Sequence, residues 1–268
     1  MKKNFWKTED CFIKDADNQY FLILLHKNYE IGTHYHEFYE MNIVVNGNGI
    51  HKIFDNEITV NKGDVFVIPP FVKHSYINCG ELDVYHILIR NNFLEKFGSD
   101  LEEIPGFNQM FYFEPELRPI STQQHYLKLN FEDTLNLSVK LDQLLYMSNS
   151  KNVICTNIFA TNLITELCLK INSSITNKAT IMNIMEYINY NLSEKITLDT
   201  LSNTFHLSKS TLTRLFKKEL NITPIDYLIK CRILRANTLI KTTEKNLSEI
   251  ATECGFYDTS HMNKFIKN

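Results

Sequence analysis

Four side chains in the first third of the chain have the types and spacing of a ligand set. His34, His36 and Glu40 fall at intervals of two and four, and His74 follows further along. The first three share parity, so on one continuous strand they would project to the same face, with His74 joining from a neighbouring strand. Three imidazoles and a carboxylate suit Zn²⁺, Ni²⁺ or Fe²⁺ with a coordination position left open. The same groups can instead line a pocket for an organic ligand, beside Tyr39 and Tyr76, with Tyr20, Phe66 and His86 as further lining. A second constellation lies towards the C-terminus. Lys209, Ser210, Thr211, Thr213, Arg214, Lys217 and Lys218 crowd one short segment, and Thr259, Ser260, Asn263 and Lys264 another. Arginine pairs bidentately with guanine O6 and N7, asparagine pairs with adenine, and lysines neutralise phosphates.

The C-terminal side chains belong to a pattern written twice, over 198–216 and 247–266. Each copy reads as a short amphipathic helix, a tight turn and a second helix with polar and basic residues outward. In the first, Thr197 is an N-cap, Leu198, Leu201 and Phe205 pack inward, and His206 and Leu207 make the turn. Ser208 then caps a helix whose Leu212, Leu215 and Phe216 face the core. In the second, Asn246 and Glu249 form a capping box, Leu247 and Ile250 face inward, and Gly255 supplies the turn. Asp258 caps the last helix, with Met262, Phe265 and Ile266 inward. Leu198 aligns with Leu247 at an offset of 49 and Arg214 with Lys264 at 50, so the second turn is one residue longer. Between the copies, Thr223-Pro224-Ile225-Asp226 opens a helix running to about Lys241. At 1.5 Å per residue it spans roughly 27 Å, near the roughly 34 Å between successive major grooves on one face of DNA. Two helix-turn-helix units held apart by one helix form a DNA-reading device.

The histidine set needs a different scaffold. Residues 20–90 break into short runs rich in Val, Ile, Phe and Tyr, at 21–26, 39–45, 50–54, 57–60, 65–68, 74–77 and 84–89. Turn signals separate them at 46–49, 55–56, 61–64 and 78–80, and Pro69-Pro70 closes a strand. Such spacing predicts an antiparallel barrel or jelly roll. Residues 91–175 read as helices, at 93–97, 127–147 and 152–171. The last of these carries Ile154, Ile158, Leu163, Leu167 and Ile171 as an apolar face that covers the barrel or meets a partner. Residues 172–178 have linker composition. The expected fold is α+β and multidomain: an N-terminal antiparallel β-barrel (cupin or jelly roll) with helices, then an all-α domain of two helix-turn-helix units joined by a long helix. The expected divisions are 1–90 for the barrel, 91–175 for the helical, possible dimerisation region, and 176–268 for the DNA-binding domain.

Charge follows the same division. From residue 178 onward there are 13 Lys and Arg against 9 Asp and Glu, and before it 15 against 22, so +4 and −7 combine to the net −3. A basic end on an acidic body suits DNA contact confined to that end. The six cysteines show no CxxC pairing and read as reduced thiols of a cytoplasmic protein. No leader segment is evident at the start, and the apolar runs, such as 20–25, read as too short to span a membrane.

Residues 180–268 resemble the DNA-binding domain of the AraC/XylS family of bacterial transcription regulators, through ITLDTLSNTFHLSKSTLTRLFKKELNITPIDYL and LSEIATECGFYDTS. The resemblance implies base or backbone contacts from Ser210, Thr213 and Arg214 in one recognition helix and from Thr259, Ser260, Asn263 and Lys264 in the other. Gly32-Thr33-His34-Tyr35-His36, Glu40 and Gly47 resemble the first cupin motif, and Gly63, Pro69, His74 and Asn78 the second, with Phe71 where that motif usually has glycine. This is similar to the sensor domain of many such regulators. It implies a small-molecule effector at His34, His36, Glu40, His74, Tyr39 and Tyr76, without a cofactor; metal at His34, His36, Glu40 and His74 is the alternative. The implied partners are operator double-stranded DNA across adjacent major grooves, a second copy of the chain, and RNA polymerase, with no membrane and no enzymatic activity. The competing class is a metal-dependent cupin enzyme with a helical appendage. Family members continue with a further helix beyond the position of Asn268, so the second unit is expected to be less well supported than the first.

Overall fold

The computed structural model describes residues 4–14, 16–53, 56–118, 127–174, 179–220 and 222–266. They form two compact units, one of described residues up to 174 and one from 179 onward. The first contains β1 (Phe5–Trp6), α1 (Thr8–Cys11), β2 (Phe21–His26), β3 (Ile31–His36), β4 (Tyr39–Ile53), β5 (Asn56–Asn61), β6 (Asp64–Ile68) and β7 (His74–Ile89). After these come α2 (Asn91–Glu102), a π turn (Gln109–Phe113), α3 (Glu114–Leu117), β8 (Leu127–Lys128), α4 (Phe131–Asn149) and α5 (Val153–Ser174).

β4 and β7 pair along their length, from Tyr39 opposite Ile89 to Ile53 opposite His74, with register shifts between Val44 and Ile50. The runs expected as separate strands at 39–45 and 50–54, and at 74–77 and 84–89, are therefore two long bent strands (Phe54 lies outside the described residues). The turn signals at 46–49 and 78–80 mark the bend instead of hairpins. Gly47, at φ 70°, lies so close to β7 that a Cβ would sit 2.3 Å from the Glu81 carbonyl oxygen. Only glycine fits such an approach.

The bend turns one ladder into two layers. The first half of β4 pairs with β6 and with the second half of β7, which carries β2. The second half of β4 pairs with β5 and with the first half of β7, which carries β3 and then β1. Side-chain alternation sorts the faces. Met41, Ile43, Val65, Val67, Ile87 and Ile89 share one core with residues of α2, α4 and α5. Val44, Phe66, Ile68, Tyr76 and Val84 form the interior between the layers. Residues of 91–174 thus complete the core of the sheet.

Two helical expectations change. The helix placed over 127–147 begins at Phe131, because Leu127 and Lys128 pair with Val65 and Asp64 as a short strand. Asn130 then caps it, its Oδ1 accepting the Asp133 N–H at 2.8 Å. On α5, Leu163, Leu167 and Ile171 are buried, whereas Ile154 and Ile158 are each 68% exposed. At roughly 100° per residue the two groups occupy different sides of the helix. α5 also corrects the reading of apolar runs as too short, since Val153–Ile171 has the length and hydropathy to cross a membrane. Its buried face packs on the sheet.

The second unit contains α6 (Ala179–Tyr190), α7 (Leu198–Phe205), α8 (Lys209–Leu220), α9 (Pro224–Thr242), α10 (Leu247–Glu253) and α11 (Thr259–Ile266). α8, α10 and α11 pack on α9, a helix of 19 residues. Its start is a reciprocal cap: Thr223 Oγ1 accepts the Asp226 N–H and Asp226 Oδ2 accepts the Thr223 N–H, both at 3.1 Å. Ile250, Ala251, Phe256 and Met262 form the core of the second helix pair. Leu247, expected inward, is exposed. The side chain of Ile266 lies outside the described residues.

Candidate functional site

His34 and His36 end β3, and the chain bends at Glu37 and Phe38 before β4 begins. Glu40 therefore lies on a different strand from the two histidines, not on the continuous one that parity assumed. The fold still brings it to them. Single ligand atoms of His36, Glu40 and His74, all three buried, lie within 4.8 Å of one another. His34 stands beside the trio, its ring 4.2 Å from that of His74.

Backbone carbonyls set the direction of each imidazole. Nδ1 of His36 is 2.6 Å from the Phe38 oxygen, Nδ1 of His74 is 2.9 Å from that of Val72, and Nδ1 of His34 is 3.0 Å from that of Gly32. A carbonyl only accepts, so each Nδ1 carries a proton and Nε2 is the atom left to meet other groups. The Nε2 atoms of His36 and His74 are buried and have no hydrogen-bond partner among the described residues. Phe71 supports this corner. It adopts φ 64°, the conformation of the glycine it replaces, and donates its N–H to the His36 carbonyl at 2.7 Å.

Glu40 is held from behind. Its Oε1 accepts from Asn42 Nδ2 at 3.0 Å and pairs with His86 Nδ1 at 3.1 Å, while Tyr76 donates to Asn42 Oδ1 at 3.0 Å. Its Oε2 faces His36 Nε2 at 3.6 Å. Burial pushes the Glu40 carboxyl up, but the His86 imidazole and its hydrogen bond, with His36 and His74, outweigh this and hold it well below the usual range. Burial lowers His36, His51 and His74, the last to about 3, and keeps these rings neutral. His51 lies fully buried between the rings of Phe66 and Tyr76.

Of the expected lining, His34, His36, Glu40, His74, Tyr76, Phe66 and His86 meet in this interior. Tyr39 and Tyr20 do not. Tyr39 lies on the opposite face of β4 against Phe111, and Tyr20 packs on Phe93 and Phe97 of α2. Asn42 and His51 were missed. Asn42 shares the parity of Glu40 and was legible by alternation, whereas His51 enters only through the second half of the bent strand.

In the second unit, both helix pairs turn at a left-handed residue followed by an N–H that reaches five residues back. His206, at φ 52°, is followed by Leu207 N–H donating to the Ser202 carbonyl at 3.2 Å. Gly255, at φ 76°, is followed by Phe256 N–H donating to the Ala251 carbonyl at 2.8 Å. The outer bond of a Schellman closure is common to both, whereas the His206 N–H donates to the Ser202 carbonyl and the Gly255 N–H to that of Thr252. Ser208 Oγ then accepts the Thr211 N–H at 3.1 Å, and Asp258 Oδ1 accepts the His261 N–H at 2.6 Å. The turn residues match at offset 49 and the caps at offset 50. The added residue in the second turn leaves Tyr257 92% exposed at the mouth of α11, a residue that the sequence pattern did not single out.

Arg214, Lys217 and Lys218 are exposed on α8, as are Ser260 and Lys264 on α11; Thr259 and Asn263 are half-buried. Several side chains of these helices make polar contacts within the unit. Lys209 pairs with Asp199 at 2.5 Å, and the hydroxyls of Ser210 and Thr211 each lie 2.8 Å from Ser208 Oγ. Thr213 Oγ1 donates to the Lys209 carbonyl at 2.9 Å. Arg232 ties α9 to the loop before α7, with Nε donating to the Leu192 carbonyl at 2.9 Å and an Nη to that of Glu194 at 2.6 Å.

A β fold with a buried polar interior, followed by two helix-turn-helix units on a shared helix, defines a ligand-responsive DNA-binding regulator. Residues 20–145 match the family described as AraC-like ligand binding domain, and residues 201–268 match a helix-turn-helix domain family. The chain is 24% identical over 241 residues to the HTH-type transcriptional activator RhaS of Enterobacter sp. (strain 638), covering 87% of this chain and 82% of that protein. It is 26% identical over 234 residues to the activator RhaR of Mannheimia succiniciproducens, covering 85% and 80% respectively. Among solved structures it is similar to ToxT from Vibrio cholerae, with 14% identity, 92% and 94% coverage and a TM-score of 0.41. The chain thus joins an N-terminal AraC-like ligand-binding domain to a C-terminal DNA-binding helix-turn-helix domain, the organisation of an AraC-type transcription regulator.

Proposed function

We propose that the protein reads its operator with α8 and α11 in adjacent major grooves of double-stranded DNA. The observation that carries this reading is the repeated geometry: two recognition helices launched from equivalent turns and caps, each with a basic exposed side. Arg214 serves guanine, and Lys217, Lys218 and Lys264 neutralise phosphates. Ser210, Thr211, Thr213, Lys209, Thr259, Ser260 and Asn263 border the same surfaces. Residues 176–268 form the DNA-binding domain, 1–90 the sensor and 91–175 the covering and dimerising region. The effector meets His34, His36, Glu40, His74 and Tyr76. The protein acts in the cytoplasm as a homodimer, without catalysing a reaction, and the activator names of its relatives support RNA polymerase as a further partner.

The test is binding to sequences selected from random DNA, read by fluorescence anisotropy over a range of salt. Arg214→Ala is expected to weaken specific binding by about 1–3 kcal/mol and to relax preference at its base. Lys217→Ala should weaken binding to all sequences alike and reduce the salt slope by about one. An Arg214→Ala protein with unaltered base preference would remove α8 from the reading.

A further inference from the structure

We propose that Tyr257 holds the DNA backbone where α11 enters its groove, with its phenol O–H donating to a phosphate oxygen and its ring lying against the adjoining deoxyribose. This rests on the reading of α11 as a recognition helix. It adds a contact outside that helix, of a chemistry that the basic side chains do not supply.

Three observations carry it. First, the turn directs this side chain outward. Asp258 caps α11 by accepting the His261 N–H, so Tyr257 stands just before the cap and Met262 at the fourth helical position. An apolar residue before the cap ordinarily packs on the fourth helical residue as a staple. In the first unit that place belongs to Leu207, which is half-buried. In the second, Phe256 is buried one residue earlier, in one cluster with Met262. Tyr257 is left as the most exposed large aromatic or aliphatic side chain among the described residues. Second, the turn is fastened to α11. The Tyr257 N–H donates to His261 Nδ1 at 3.4 Å, and the His261 ring meets Phe256 and Phe265 edge-on, with centroids 5.6 Å and 5.3 Å away. A contact made by Tyr257 therefore positions the first turn of α11, the part of a recognition helix that meets base edges. Third, the two helices differ in charge. α8 carries Lys209, Arg214, Lys217 and Lys218, whereas α11 carries Lys264 as its one lysine or arginine. The second unit neutralises fewer phosphates, so its hold depends on uncharged donors, among which tyrosine reaches furthest.

The whole chain is titrated against a duplex selected from random DNA, by fluorescence anisotropy over a range of salt. Single phosphates flanking the α11 site are replaced in turn by neutral methylphosphonates. Tyr257→Phe is expected to weaken binding about tenfold at an unchanged salt slope, because a neutral donor releases no counterion. Tyr257→Ala should weaken it further, and base preference should stay as in wild type. The side chain is exposed, so both variants should keep the wild-type Tm. At one methylphosphonate position the wild type should lose more affinity than Tyr257→Phe does, which couples the phenol to that phosphate. Lys264→Ala reports on α11 itself and should lower the salt slope by about one. If it does so while both Tyr257 variants bind as wild type, the tyrosine contact is overturned and the reading of α11 stands. Such variants with transcription lost would assign the ring to a protein partner instead. A changed base preference in Tyr257→Phe also overturns the backbone contact. If Lys264→Ala and both Tyr257 variants all bind as wild type, α11 leaves the DNA reading and the tyrosine contact falls with it.

Discussion

His206 and Gly255 occupy equivalent positions, yet only one has the residue that its backbone favours. An L-residue in the left-handed region costs about 1–2 kcal/mol, and glycine avoids this at the expense of a more flexible unfolded chain. His206 is exposed and sits at φ 52°, so its ring contributes no core packing to offset that strain. His206→Gly is therefore expected to stabilise the second unit by up to about 1 kcal/mol in denaturant unfolding. An unchanged or lowered midpoint would show that the imidazole contributes to folding. The reverse change at the other turn has the opposite sign. A Cβ on Gly255 would lie 2.1 Å from the Leu192 carbonyl oxygen and 2.7 Å from an Arg232 nitrogen. Both neighbours are fixed, so Gly255→Ala should lose more stability than the backbone term alone.

Among the elements, α9 is tied through one side chain to the loop before α7. Arg232 is buried, and its two donors satisfy the Leu192 and Glu194 carbonyls. Arg232→Met keeps the aliphatic volume but leaves those oxygens short of partners, with an expected loss of about 1–3 kcal/mol by chemical denaturation. Stability equal to wild type would show that water serves the carbonyls as well. Such ties were not legible in the sequence, because they join residues forty positions apart. The caps were legible, since Thr223 with Asp226 and Asn246 with Glu249 act over three residues, and so were the two turns. The sheet was legible as strands but not as connections. Asn46-Gly47-Asn48-Gly49 has hairpin composition, yet its glycines serve a bulge where β4 meets β7. Glu37-Phe38 has no turn composition, and that is where the chain bends. The parity argument therefore ran across the break and placed Glu40 correctly by the wrong route.

At the scale of the molecule, the first unit retains an apolar surface that its own described residues leave uncovered. Phe131, Leu135, Val139 and Tyr146 on α4 fall within roughly 80° of arc, and all are more than half exposed. Ile154, Ile158 and Leu169 make a similar stripe on α5, away from the buried Leu163, Leu167 and Ile171. Lys140 with Glu166 at 2.5 Å and Lys170 with Asp133 at 2.7 Å cross-link the two helices. Each stripe lies on a side of its helix turned away from these ion pairs, open to a second copy of the chain. Linking two DNA-binding ends in one dimer raises affinity for a paired site by effective concentration, without any new DNA contact. Effector binding can then act on transcription only through its differential affinity for the states it connects. Leu135→Glu combined with Ile158→Glu places charges in both stripes and leaves the buried faces intact. By sedimentation, this variant is expected to be a folded monomer at concentrations where wild type is a dimer. Its affinity for a paired operator should fall by about 10²- to 10⁴-fold, with little change for a single half-site. Wild-type protein that remains monomeric at every concentration, with and without DNA, would rule out the dimer and assign these stripes to another partner.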